Sequence, residues 1–227
     1  IVDSAAVKNR ALAVCPARKL SVIPVGVDTT YFDVARTDRQ WEQDYDGHKV
    51  ILGTVARLVP EKQIDWLLRI AKVTNCAALI VGDGPERAAL QQLAKVLNVE
   101  AQFVGEQEDV RPFLAKMDIF ILPSRREGLS VAVMEAMSME LPVIVNDLSS
   151  FKELVVQNET GIRLSPEYMH LAVKALKASR EARISLRLAA RRHVQQYYEQ
   201  AGSCRAYERV ILGREWLRDD VNHTLGM

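Results

Sequence analysis

The stretch KVILGTVARLVPEKQIDWLLRIAKVTNCAALIVG, residues 49–82, decides the fold. Its first seven residues, 49–55, are a short run of aliphatic and β-branched side chains. Ile64, Leu67, Leu68 and Ala71 follow at i, i+3, i+4 and i+7, which marks one apolar face of a helix. AALIVG, residues 77–82, is then apolar almost throughout. A strand covered on both faces reads this way, and a helix between two such strands makes them parallel neighbours.

Outward from that unit the alternation repeats. Residues 101–104, 118–122, 142–146 and 161–164 are further strand candidates, and Leu90, Leu93, Ala94 and Leu97 form a second helix face. Residues 167–200 read as helical, and 204–218 as a terminal helix. The pattern predicts an α/β fold with an open, doubly wound parallel sheet, whose ligands sit in the loops outside the carboxyl ends of the strands. Before it, residues 4–28 read as a short helix, a strand from Leu20 to Ile23 and a turn at Pro24 to Asp28. Residues 29–47 read as a polar connecting loop.

Composition narrows the function classes. The 227 residues are 48% hydrophobic and 26% charged, ordinary values for a soluble globular protein that buries roughly 70% of its unfolded surface. Lys plus Arg is 30 against 29 for Asp plus Glu, so no electrostatic footprint for nucleic acid exists. Cys15, Cys76 and Cys204 are scattered and odd in number, which predicts free thiols and a cytoplasmic location. No apolar run approaches the ~18 residues of a membrane span. The opening Ile1-Val2-Asp3 has neither an initiator Met nor a signal peptide and reads as the interior of a longer protein. Arg180, Arg183, Arg187 and Arg191 recur at helical spacing; a solvated helix face accounts for them better than peripheral contact with an anionic membrane. The four histidines have no metal-ligand or triad spacing.

Three loops carry candidate chemistry. After the first strand comes ARLVPEKQ, 56–63. Pro60 suits the first turn of the next helix, so Arg57 and Lys62 flank a helix N-terminus, where unpaired N–H groups favour an anion such as phosphate. Two solvated surface cations are the plainer alternative. After the fourth strand comes PSRREGLSVAVMEAM, 123–137, with Ser130 as a candidate N-cap. Glu135 is the one charge in an apolar helix, a position that costs several kcal/mol unless it meets a partner. That partner is a sugar hydroxyl or, alternatively, a neighbouring Arg or backbone N–H. The VGDGPER turn, 81–87, has Arg87 where a dinucleotide fingerprint needs its third glycine, so it predicts a tight strand-to-helix turn. Ser150 and Glu153 fit a capping box for a helix at 151–157.

Taken in order, VIPVGVD (22–28), ARLVPEK (56–62), ALIVGDGPER (78–87), DIFILPS (118–124), EGLSVAVMEAM (127–137), LPVIVND (141–147) and TGIRLSP (160–166) resemble the C-terminal half of a family 4, or group 1, retaining glycosyltransferase of the GT-B architecture. Glu127 and Glu135, with seven residues between them, are the most diagnostic piece. The resemblance implies a Rossmann-like domain that binds a nucleoside-diphosphate sugar and passes the sugar to a hydroxyl acceptor, in cell-envelope or polysaccharide synthesis. It implies that Arg57 and Lys62 hold the donor diphosphate. Glu127 would be the catalytic carboxylate and would hold the donor sugar with the backbone of Gly128, Leu129 and Ser130. Glu135 would take the ribose hydroxyls, and Gly105, Glu106 and Gln107 would lie against the base. It implies no metal and no cofactor, because the two cations and a helix N-terminus offset the charge of the leaving group.

The chain departs from the family pattern at Val25 (usually Asn), at Ala56 and Gln63 (usually Gly), and at Leu129-Ser130 (usually Phe-Gly), the last within the sugar subsite. The implied layout is residues 1–28 as the exit from an N-terminal half, 29–200 as the nucleotide-sugar domain and 201–227 as a helix crossing back. Tyr207, Val210, Ile211, Trp216 and Leu217 would then face an acceptor-binding N-terminal domain that is missing here, which predicts donor binding without transfer. A related sugar-nucleotide epimerase and a non-catalytic binding module are the alternatives.

Overall fold

The computed structural model of the chain describes Lys8, residues 22–37 and residues 49–212. Apart from Lys8, the short helix expected before Leu20, the start of the strand at Leu20, and Trp216 and Leu217 lie outside the described residues.

Six strands form one parallel sheet: β1 (Ile51–Val55), β2 (Ala77–Val81), β3 (Ala101–Gly105), β4 (Ile119–Leu122), β5 (Val143–Val145) and β6 (Ile162–Arg163). Their order is β3-β2-β1-β4-β5-β6, and each of the six expected strands is present within a few residues. The helices are α1 (Ile64–Thr74), α2 (Arg87–Leu97), α3 (Arg111–Leu114), α4 (Val131–Ser138), α5 (Met169–Ala178), α6 (Arg180–Tyr197) and α7 (Gln200–Ile211).

Side chains alternate across each strand, so one apolar run feeds two cores. Leu79, Val81, Phe120, Leu122, Val143 and Val145 meet Met134 and Met137 of α4 and Ala190 and Val194 of α6. Ala78, Ile80, Ile119, Ile121 and Ile144 meet Leu67 and Leu68 of α1 and Val173 and Leu176 of α5 on the other face. Leu67 and Leu68 are fully buried, which stabilises the fold by about 1.5–3 kcal/mol each. Asp118 fixes the register at the foot of the sheet: Ile51 N–H donates to its Oδ2 at 2.8 Å, and its own N–H donates to the Ile51 carbonyl at 2.9 Å.

Two expectations fail. No helix follows Ser150; the chain makes a three-residue 3-10 turn, Ser149–Phe151, and then further turns, so Ser150 and Glu153 are not a capping box. The arginine stripe of α6 is not a solvated face either. Arg180 alone of the four is exposed. Arg183 donates to the Leu176 carbonyl at 2.7 Å, at the end of α5. Arg187 pairs with Glu140 at 3.6 Å. Arg191 pairs with Asp33 at 3.2 Å, reaches Glu140 at 4.0 Å and donates to the carbonyls of Phe32 and Ser138. Glu140, just past α4, has φ 56, a left-handed conformation costing roughly 1–2 kcal/mol in a residue with a Cβ. The two guanidinium groups offset that strain.

At the other end, Val27 N–H donates to the Tyr198 carbonyl at 2.8 Å and Gln200 N–H to the Val27 carbonyl at 3.1 Å, so the start of α7 hangs on the 22–28 segment. No residue of α7 is buried among the described residues; Ile211 is 75% exposed, while Tyr207 and Val210 are half-buried.

Candidate functional site

The strand order reverses between β1 and β4, and open sheets of this order bind ligands in the crevice that opens there, beyond the carboxyl ends. The two loops flanking that crevice are residues 56–63 after β1 and residues 123–130 after β4. They are joined directly, because Arg125 N–H donates to the Glu61 carbonyl at 2.8 Å.

The β1 loop is also bonded to its other neighbour. Ala56 N–H donates to the Val81 carbonyl at 3.0 Å, Leu58 N–H to the Asp83 carbonyl at 2.8 Å, and Glu86 N–H to the Leu58 carbonyl at 3.1 Å. Approach this close explains the glycines. A Cβ on Gly82, whose φ is +122, would lie 2.0 Å from the Ala56 carbonyl oxygen; one on Gly84 would lie 2.4 Å from that of Leu58. The turn is therefore a packing device, as its missing third glycine indicates. Asp83 accepts from Gly84 N–H and pairs with Arg87, and these contacts hold its carboxyl below the ordinary range.

Within the crevice the Lys62 ammonium pairs with Glu127 Oε1, so residues 65 positions apart meet across the switch point. The Glu127 side chain is 9% exposed. Ser124 Oγ–H donates to the same Oε1 at 2.9 Å, and Asn146 Nδ2–H donates to the Ser124 carbonyl at 3.0 Å. Arg57 is exposed, and its guanidinium makes no hydrogen bond or ion pair among the described residues.

One expected feature is corrected here. Pro60 does not open the following helix. Pro60–Lys62 is a single 3-10 turn, Gln63 then takes φ 50, and α1 starts at Ile64. Lys62 closes that 3-10 turn and stands immediately before Gln63, the N-cap of α1, so it still flanks the helix start although Pro60 does not open the helix. The left-handed Gln63 also explains why glycine suits that position in the pattern the chain resembles.

Ser130 occupies the N-cap position of α4, as its sequence suggested, but its hydroxyl makes no capping bond. Gly128 and Leu129 lie half-buried before it. Glu135 sits just over one turn into α4. Helical Cβ atoms tilt toward the N-terminus, so its side chain leans back toward that end. It has no hydrogen-bond partner among the described residues, and burial alone pushes its carboxyl from an ordinary 4.5 up to about 7. The alternative of a neighbouring Arg or backbone partner is thus not met. Gly105 ends β3 and donates no side chain; Glu106 is exposed, and Gln107 Nε2–H donates to the Val104 carbonyl at 2.9 Å.

Chemically, the crevice offers a free guanidinium, an ammonium shared with a carboxylate, and a second carboxylate without a partner. Among the described residues no group of three or more His, Cys, Asp or Glu is placed to hold a metal ion, and no helix is long and apolar enough to cross a membrane. Sequence reasoning missed Ser124 and Asn146. Ser124 stands three residues before Glu127 in a turn, which was a usable signal; Asn146 lies on another strand end and gave none.

Comparison with known proteins bears on this geometry. The model of the family described as Glycosyl transferases group 1 matches residues 49–201. A GDP-mannose-dependent alpha-mannosyltransferase of Mycobacterium tuberculosis is 34% identical over 176 residues, covering 74% of this chain and 45% of that protein. Its namesake from Mycolicibacterium smegmatis is 33% identical over 156 residues, covering 66% and 40%. The chain thus spans less than half the length of these curated relatives. A solved structure, Anabaena HepE in complex with UDP and glucose, superposes with a TM-score of 0.84 at 18% identity, covering 93% of this chain and 62% of that one.

Proposed function

This chain belongs to the Glycosyl transferases group 1 family, and from that premise we propose that it is the donor-binding part of a retaining, metal-independent glycosyltransferase. The donor is a nucleoside-diphosphate sugar. Its anomeric carbon–oxygen bond breaks, the nucleoside diphosphate leaves with the electron pair, and an acceptor hydroxyl oxygen takes the carbon while its proton ends on the products.

The observation that carries this reading is the Lys62–Glu127 pair at the switch point, with Arg57 on the same loop as Lys62 and Glu135 in the helix after Glu127, both without a side-chain partner among the described residues. With donor bound, Lys62 and Arg57 take the diphosphate, and Glu127 takes a sugar hydroxyl. Charged hydrogen bonds of this kind contribute about 1.5–3 kcal/mol each. The backbone of Gly128 to Ser130 lines the sugar, Glu135 accepts from the ribose, and the Gly105–Gln107 loop lies against the base. A separate domain holds the acceptor, so residues 1–227 bind donor without transferring it. Excluding water from a cleft between two bodies is what keeps such a donor from hydrolysis.

The test is calorimetry in EDTA with nucleoside diphosphates and their sugar conjugates. The named relatives use GDP-mannose and a structural neighbour holds UDP and glucose, so both series belong in the screen. Binding that persists in EDTA and strengthens with the sugar supports the reading. Binding restored only by a divalent cation contradicts metal independence.

A further inference from the structure

Two residues stand behind Glu127. Ser124 is fully buried past the end of β4 and donates to Oε1; Asn146, past the end of β5, holds the Ser124 carbonyl. Lys62 meets that same Oε1, and Oε2 has no partner among the described residues. One oxygen of the carboxylate is anchored twice, and the other is presented bare.

The two anchors differ in kind. An ammonium is a compact charge with little directional demand, and a bound diphosphate competes for it. A buried hydroxyl on a strand end is directional and has no such competitor. When phosphate draws Lys62 away, Ser124 is the anchor that remains. A glutamate side chain has several rotatable bonds, and holding them before the ligand arrives removes an ordering cost from binding.

We propose that Ser124, braced by Asn146, is a positioning residue that fixes the Glu127 carboxylate so that Oε2 faces a hydroxyl of the donor sugar. The inference rests on the donor-binding function proposed above. Ser124 touches no ligand itself, so it acts only on the part of the affinity that the sugar adds.

The test compares a nucleoside diphosphate with its sugar conjugate by calorimetry on the wild-type chain, Ser124→Ala, Ser124→Thr and Glu127→Ala. Ser124→Ala weakens the conjugate by about five- to twentyfold and leaves the diphosphate within about twofold. Ser124→Thr, which restores the hydroxyl, recovers most of the loss. Placed on Glu127→Ala, Ser124→Ala costs nothing further, because the group it positions is gone. If Ser124→Ala does not fold, Asn146→Ala carries the same comparison with the same sign. Equal losses on both ligands, or a further loss in the Glu127→Ala background, overturn the positioning role while leaving donor binding intact. A wild-type chain that binds neither ligand overturns the proposed function and this inference together.

Discussion

Replacing Glu135 with Gln removes a charge while keeping the shape, and the structure fixes the expected size of the effect. Burial raises this carboxyl from an ordinary 4.5 to about 7, with no partner among the described residues to offset it. At 1.36 kcal/mol per pH unit, ionising it in the folded chain costs about 3 kcal/mol more than in the unfolded chain. The folded pKa is the higher one, so the folded state holds more protons between pH 4.5 and about 7. Stability is full below that window and falls as pH rises through it. Glu135→Gln has no such loss: it matches wild type near pH 4.5 and is more stable by up to about 3 kcal/mol at pH 8. Urea denaturation of both proteins across this range measures the gap. A ligand whose ribose hydroxyls donate to the carboxylate favours the ionised form, so binding to wild type at pH 7 releases roughly half a proton. Titration in buffers of different ionisation enthalpy detects that release, and Glu135→Gln abolishes it. A gap that does not vary with pH, or proton uptake on binding, refutes the reasoning.

Three further outcomes are expected. Arg57→Ala and Lys62→Ala each weaken nucleoside diphosphate by about ten- to a hundredfold in EDTA, read by calorimetry. Arg191→Ala lowers the unfolding free energy by about 2–4 kcal/mol in urea, because it strips the partner from Asp33 and leaves two carbonyls without their donor. Gly82→Ala prevents stable folding or costs more than about 3 kcal/mol, since a Cβ there meets the Ala56 carbonyl at a positive φ; a near-wild-type midpoint would falsify the packing role of that glycine.

The sheet was legible because each strand is a short apolar run and each neighbouring helix an apolar stripe; both periodicities are local. Local signals also placed Arg57, Lys62 and Glu127 on strand-end loops and Glu135 in the helix that follows one of them. What the sequence hid were pairings between distant positions. The partners of Arg187 and Arg191 are Glu140 and Asp33, on separate elements, so a buried network looked like a solvated stripe. Pro60 marked a helical turn correctly in kind, but Gln63 in the left-handed region interrupts it before α1, and nothing about glutamine signals that conformation. Ser150 and Glu153 had the spacing of a cap without a helix to cap.

The eight residues of α4 join the crevice to the cluster around Glu140, a length of about 12 Å at 1.5 Å per residue. One end carries Glu135 and the backbone N–H groups beyond Ser130; the other ends at Ser138, whose carbonyl Arg191 holds. The helix is in effect a lever pinned at its far end. A tilt of about 5° there displaces the near end by about 1 Å, a misplacement that can cost on the order of a hundredfold in rate at a reacting centre. The helix that carries Glu135 is thus also held at its far end, by an arginine of α6.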